Sequence, residues 1–154
     1  MKNNKQYLLL QQTDKKLYAF IDLKATVVPS KGWINAFRTA LKMSLRQLGN
    51  RLNIAPQSTK EIEDREANGT ITLNNLRDVA NAMDMQLVYG FISKHESLEQ
   101  MIEKRAAELA TEIVMRTNYT MALEDQQNSK ERIEKAIAQK TYEIKSEMPK
   151  YLWD

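Results

Sequence analysis

Few residues in this chain are suited to making or breaking covalent bonds. There is no Cys, and His95 is the single His. A thiol nucleophile is therefore absent, and a zinc site built from several His or Cys ligands cannot be assembled. His95 falls in an expected loop. Glu124 and Asp125 are adjacent carboxylates with no identifiable third ligand, and they read as a solvated surface pair. Met83, Met85, Met101, Met115 and Met121 read as core or interface filler. Trp33 and Trp153 read as packing anchors, with Trp153 alternatively seated in a partner. No nucleophile–base pair and no phosphate-cradling glycine loop emerges. The expectation is a protein that is not an enzyme and uses no cofactor or metal.

The pattern that does carry chemistry is residues 44–63, S-L-R-Q-L-G-N-R-L-N-I-A-P-Q-S-T-K-E-I-E. Ser44 and Gln47 have the spacing of a capping box, each satisfying a free N–H of the other's backbone. A helix is expected over 45–52. Asn53 tolerates a left-handed backbone and supplies a tight turn. Pro56 suits the first turn of a second helix, 56–66, where its missing N–H has no bond to lose. Gly49 is the small residue needed where the two helices cross, and Leu48, Leu52, Ile54 and Ile62 lock them together. These are the demands of a helix-turn-helix, whose second helix enters the major groove with its N-terminal residues toward base edges.

The elements that must position this pattern are mostly helical. Residues 5–23 carry Leu10, Leu17 and Ile21 at helical spacing; a hairpin turning at Thr13-Asp14-Lys15-Lys16 is the alternative. Residues 24–31 read as a linker, since Pro29 favours an extended Val28. A helix follows from Gly32, with Trp33, Ile34, Phe37 and Leu41 on one face. Asn68-Gly69 ends the 56–66 helix. Thr72 caps another, with Leu73, Leu76, Val79, Ala80 and Met83 on its stripe. Residues 86–92, Q-L-V-Y-G-F-I, have strand composition, and a single strand needs a partner, such as a strand from another subunit. Residues 96–127 form an expected helix with Leu98, Ile102, Leu109 and Ile113 on its apolar face. Ser129 caps a last helix bearing Ile133, Ile137 and Ile144, and Pro149 ends it. The apolar finish Tyr151-Leu152-Trp153-Asp154 is expected to dock.

The fold class expected is mainly α, with one short β-strand and a helical C-terminal extension. The expected divisions are an N-terminal extension and linker, 1–31, a DNA-binding domain with trailing strand, 32–93, and a helical C-terminal region, 94–154. The 154 residues and 42% hydrophobic content suit a small globular protein with a core. The net charge of +3 is small, but residues 1–93 hold 13 Lys and Arg against 8 Asp and Glu, while residues 94–154 hold 10 against 12. A basic front fits a module facing nucleic acid. No apolar run is long enough to span a membrane, and the patch Tyr7 to Leu10 is too short for a signal peptide core. A cytoplasmic protein is expected.

Residues 33–84 resemble the Xre/Cro/C1 repressor family, including the stretch T-L-N-N-L-R-D-V-A-N-A-M. The resemblance implies a lambda-repressor-like helix-turn-helix domain and a homodimer on a palindromic operator. It assigns base reading to Gln57, Ser58, Lys60 and Glu61 at the start of the second helix. Gln57 suits adenine, Lys60 guanine and Glu61 cytosine. It assigns backbone contacts to Arg46, Gln47, Pro56, Thr59, Arg65 and Asn68. The chain departs from the family pattern at Asn53, where a glycine is usual, at Ala55, where a hydroxyl cap is usual, and at Pro56. Glu61, Glu63, Asp64 and Glu66 make the end of the second helix acidic, which opposes phosphate.

The chain is also similar to the "mobile mystery protein A" group. The stretches are G-W-I-N-A-F-R-T-A-L-K-M-S at 32–44, N-G-T-I-T-L at 68–73, L-V-Y-G-F at 87–91, T-M-A-L-E-D-Q at 120–126 and Y-L-W-D at 151–154. This resemblance implies a neighbouring gene for a Fic-domain protein, a class that transfers AMP to hydroxyl side chains. The chain would be the DNA-binding, antitoxin-like member of a toxin–antitoxin pair and an autorepressor. The alternative is a protein-binding antitoxin or adaptor that engages the Fic partner through 96–154.

Overall fold

In the computed structural model, residues 2–123 and 129–154 are described, and the protein is mainly helical. Glu124, Asp125 and the end of the 120–126 stretch lie outside the described residues. The chain divides into two compact units, one of residues 22–90 and one formed by the segment up to Ile21 together with Phe91–Asp154. The N-terminal segment thus belongs with the C-terminal helices, rather than forming an extension of its own.

In the central unit, α2 (Gly32–Ala40), α3 (Leu45–Leu52), α4 (Pro56–Asn68) and α5 (Leu73–Ala82) follow one another through short turns. Their apolar stripes converge on Ile34, Leu48, Val79 and Met83, with Phe37, Leu52, Ile62 and Leu76 packed around them. Leu41, expected on the inner face, stands at the C-cap of α2 and is exposed. Trp33 stacks on Phe37, ring centroids 5.6 Å apart, while keeping one edge in solvent. The first backbone N–H groups of α2 have no side-chain cap of their own. They are met by Glu66 of α4, whose carboxylate accepts from Trp33 N at 2.8 Å and Ile34 N at 2.9 Å. A carboxylate there satisfies orphan donors and faces the positive end of the helix dipole. Gly32 makes this approach feasible: it has φ +85°, and a Cβ on it would lie 2.7 Å from Glu66 Oε2.

In the other unit, α1 (Lys2–Tyr18), α6 (Leu98–Leu123) and α7 (Lys130–Glu147) are followed by a 3-10 turn, Lys150–Trp153. α1 is continuous through Thr13–Lys16, so the helix, and not the hairpin, forms. Helical spacing puts Leu10 against the core and Asp14 at the start of α6, where its carboxylate accepts from Leu98 N at 2.7 Å. Ile102, Ala106, Ala110, Ile144 and Leu152 are the buried core. Ala106 and Ala110, one helical turn apart, keep that face of α6 low. Lys145 of α7 spans Glu99 and Glu103 of α6 at 3.2 and 3.0 Å. The hydrogen bond from Lys145 to Glu103, followed by that to Glu99, raises its pKa above the ordinary lysine value against the opposing effect of burial. The chain's end docks as expected, but through Leu152, which is 1% exposed, and not through Trp153, which is 56% exposed. Arg105 holds it by donating to Leu152 O and Asp154 O, both at 2.7 Å.

One expectation about the regular elements is corrected. Among the described residues there is no strand: residues 86–92 have no ladder partner in the chain, and a lone segment without one cannot be a strand. No helix among the described residues is long and apolar enough to cross a membrane.

Candidate nucleic-acid interface

The candidate interface is built by α3, the turn after it, and the first two turns of α4. Ser44 begins α3 with the expected capping box: its Oγ accepts from Gln47 N at 3.1 Å, and Ser44 N donates to Gln47 Oε1 at 2.8 Å. The turn rests on Asn53, left-handed at φ 56°, ψ 40°, a conformation in which its short polar side chain costs less than most. Gly49 is fully enclosed. A Cβ there would sit 2.7 Å from Ile54 O and 2.8 Å from Thr59 Oγ1, so only glycine allows the turn and α4 to approach this closely.

α4 starts at Pro56 with Ala55 as an N-cap that offers no side-chain hydrogen bond. The N–H groups of Gln57 and Ser58 lie in the first turn, where no intrahelical acceptor exists. They remain available to an anion, as do those of Leu45 and Arg46 at the start of α3. On the outer face of α4, Pro56, Gln57, Lys60, Glu61, Arg65 and Asn68 are exposed, and Ser58 is half-buried; Arg46 and Gln47 of α3 are exposed too. The spacing 57, 60–61, 64–65, 68 is one helical stripe.

Thr59 does not join them. It is 0% exposed, wedged against Gly49, and its hydroxyl donates to Ala55 O at 3.3 Å. A side chain sealed in the helix crossing cannot reach a phosphate, so the backbone-contact assignment at Thr59 is withdrawn. Gln47 spends its carboxamide oxygen on the capping box, leaving its NH2 as the donor that faces outward.

The acidic end of α4 is also differently disposed than its sequence suggests. Glu63 is 2% exposed and points inward. It forms an ion pair with Arg38 of α2 through Arg38 Nε, and accepts from Arg38 Nη2 at 3.3 Å and Asn35 Nδ2 at 3.0 Å. Burial alone would push the Glu63 carboxyl up; the hydrogen bonds from Arg38 and Asn35 and the guanidinium charge outweigh it and hold it below the usual carboxylate range. Arg38 also donates to Met43 O at 2.9 Å, so this pair fixes the turn that leads into Ser44. Glu66 is committed to the start of α2. Asp64 pairs with Lys60 at 2.6 Å across one turn of exposed helix, and that hydrogen bond raises the Lys60 pKa. Of the four acids, two face inward and a third compensates Lys60, so the cluster is not a uniformly repulsive face.

The inward roles of Arg38, Glu63 and Glu66 were missed from sequence. The spacing alone did not carry the signal: Glu63 and Glu66 follow Thr59 by four and seven residues on the same helical face, and it is the structure that shows Thr59, and so that face, to be buried. Among the described residues, no group of three or more His, Asp or Glu side chains is arranged to hold a metal ion. No family model, no curated protein and no solved structure matches this chain. The functional reading rests on the residues and on this geometry.

Proposed function

We propose that this protein is a sequence-specific DNA-binding regulator of the Xre/Cro/C1 helix-turn-helix type. In this reading α4 enters the major groove of a palindromic operator, and a homodimer sets two half-sites about one helical turn apart. The observation that carries it is the exposed polar stripe Gln57, Lys60, Glu61 on a helix locked from behind by Gly49 and Thr59. A rigid helix with a solvent-facing N-terminal turn is what base reading needs: donors and acceptors held at fixed positions, and free N–H groups for flanking phosphates. Gln57 pairs with adenine, Lys60 donates to guanine, Glu61 accepts from cytosine, and Ser58 takes either kind of partner. Arg46, Gln47, Arg65 and Asn68 hold the backbone. The protein acts as an autorepressor and as the antitoxin-like member of a pair with a Fic-domain protein.

The test is a fluorescence-anisotropy titration against DNA from immediately upstream of the gene, at low and moderate salt, with scrambled DNA as control. A preference of about a thousandfold or more for the native fragment supports the reading. Weak, equal binding to both DNAs counts against it.

A second reading, a protein-binding antitoxin or adaptor, is favoured by the surface of the unit that holds α1, α6 and α7. Tyr7, Leu8 and Leu9 of α1, Tyr119 of α6 and Tyr142 of α7 are exposed there, and exposed apolar groups in number mark interaction surfaces. Deleting 96–154 would strip α1 of its packing partner. Point substitutions such as Leu8→Glu and Tyr142→Glu are the cleaner probe, and loss of protection against the Fic partner with DNA binding intact is the supporting result.

A further inference from the structure

Building on the two-fold dimer of the reading above, we infer that residues 86–92 are the dimerisation strand: two copies pair this segment with itself, antiparallel, across the symmetry axis. The segment is Gln86-Leu87-Val88-Tyr89-Gly90-Phe91-Ile92, rich in the β-branched and aromatic side chains that suit a sheet. Among the described residues, none of its backbone N–H or C=O groups pairs with another backbone group. Val88 is 66% exposed, Tyr89 59% and Phe91 82%. A groove of about 370 Å³, lined by Trp33, Phe37, Leu76 and Met83, runs beside Leu87 and Val88, so the apolar surface extends beyond the segment itself.

The occupant is identified by charge and symmetry. Residues 85–93 contain no charged residue and no proline. Natural sheets protect edges that must stay unpaired with those residues, and this segment has no such protection. In an isologous contact each residue meets its own copy or a near neighbour, and like charges facing one another repel. A neutral segment is what self-pairing requires, whereas a dedicated foreign strand would impose no such neutrality. Tyr89 and Phe91 from two copies bring roughly 600 Å² of aromatic surface out of water. Val88, the backbone and the groove carry the total toward the roughly 1,200 Å² of a specific interface. The strand expected from sequence is thus completed on association.

The chain has no Cys, which makes register directly readable. In a two-fold antiparallel pair only the residue on the axis faces itself, with Cα atoms about 4.5–5.5 Å apart. A residue one step away is displaced from its copy by a further 7 Å or so along the strand, beyond the roughly 6.8 Å reach of a disulfide. Single-cysteine variants of the full chain, Leu87→Cys through Phe91→Cys, are oxidised and the cross-linked dimer measured. One position, expected at or next to Tyr89, cross-links, and its neighbours fall at least about tenfold. Sedimentation equilibrium supplies the second readout. Successive N–H groups of a strand point to opposite sides, so one of Val88→Pro and Tyr89→Pro deletes a ladder bond and the other spares it. Two-fold symmetry removes that bond twice, raising the dimer dissociation constant about 50-fold for one variant and far less for the other. A monomeric wild type, a dimer with no peak in this window, uniform cross-linking, or equal loss from both prolines would each overturn the inference. A monomer that still prefers the native operator would overturn the strand and leave the DNA reading standing; a sharply cross-linked dimer with no DNA preference would do the reverse.

Discussion

Removing the Glu63 carboxylate should unlock the central unit. Glu63 is buried under α2, with Arg38 and Asn35 as its donors, and the Arg38 side chain is itself only 16% exposed. In Glu63→Ala the guanidinium keeps its bond to Met43 O but loses its counter-charge inside the protein. Breaking one side of a buried pair costs about 3–5 kcal/mol. The lower part of that range, about 3–4 kcal/mol, applies here because Arg38 retains a little solvent and one acceptor. For a unit of this size that is a fall in Tm of roughly 15 °C or more. Replacing both partners, as in Arg38→Met with Glu63→Met, removes the stranded charge and should return stability to within about 1 kcal/mol of wild type. Two units need not unfold together, so urea unfolding is followed through Trp33 alone, in a Trp153→Phe background that touches an exposed ring. The pH dependence has a fixed sign. The folded pKa of Glu63 lies below its unfolded value. Its contribution is therefore complete above the ordinary glutamate value of about 4.3 and is lost as pH falls through the depressed one. The gap between wild type and Glu63→Gln should shrink from about pH 5 to pH 3. A cost below about 1 kcal/mol for Glu63→Ala, or a double variant as weak as the single one, would refute this account.

Other outcomes follow from the same geometry. Gln57→Ala should weaken operator binding by about 1–3 kcal/mol with stability unchanged, measured by anisotropy; unchanged affinity removes Gln57 from the reading set. Asp64→Ala frees Lys60 from its ion pair and should tighten binding, most of all to operators with a guanine at the position Lys60 reads, measured by anisotropy on operators with and without that guanine. Gly49→Ala should destabilise by on the order of 2 kcal/mol in urea: the clash with Ile54 O and Thr59 Oγ1 exceeds the gain of about 1 kcal/mol in helix propensity. Ala55→Ser, at a position already extended at φ −69°, ψ 153°, should stabilise by about 0.5–1 kcal/mol by supplying the missing cap.

What could be read in the sequence was local. Ser44 and Gln47 lie three residues apart and bond to each other whatever the rest of the chain does, and the tolerance of Asn53 for a left-handed turn is its own property. Gly49 announced a close crossing because no other residue fits one. Glu63 and Glu66 were read as surface acids because the groups that capture them, Arg38 and the start of α2, lie 25 to 33 residues away. Thr59 was placed outward by the family pattern, and its position relative to Gly49 became visible only in three dimensions. The strand at 86–92 was read from composition, which records preference for a sheet without supplying a second strand. Leu152 and Trp153 show the same limit: apolar composition predicted that the end docks, while the facing of adjacent side chains decided which one is buried.

The bond from Leu98 N to Asp14 joins residues 84 apart in the chain. During synthesis, α1 is made long before the helix whose start it caps. At roughly 5–20 residues per second the wait is on the order of 4–17 s, during which all of residues 22–90 are translated. The central unit draws only on its own segments and can close first. Leu10 and Asp14 must stay unpaired until α6 arrives, so the apolar stretch Tyr7 to Leu10 waits without its packing partner, and this is the period in which it is most open to chaperones, proteases and other nascent chains.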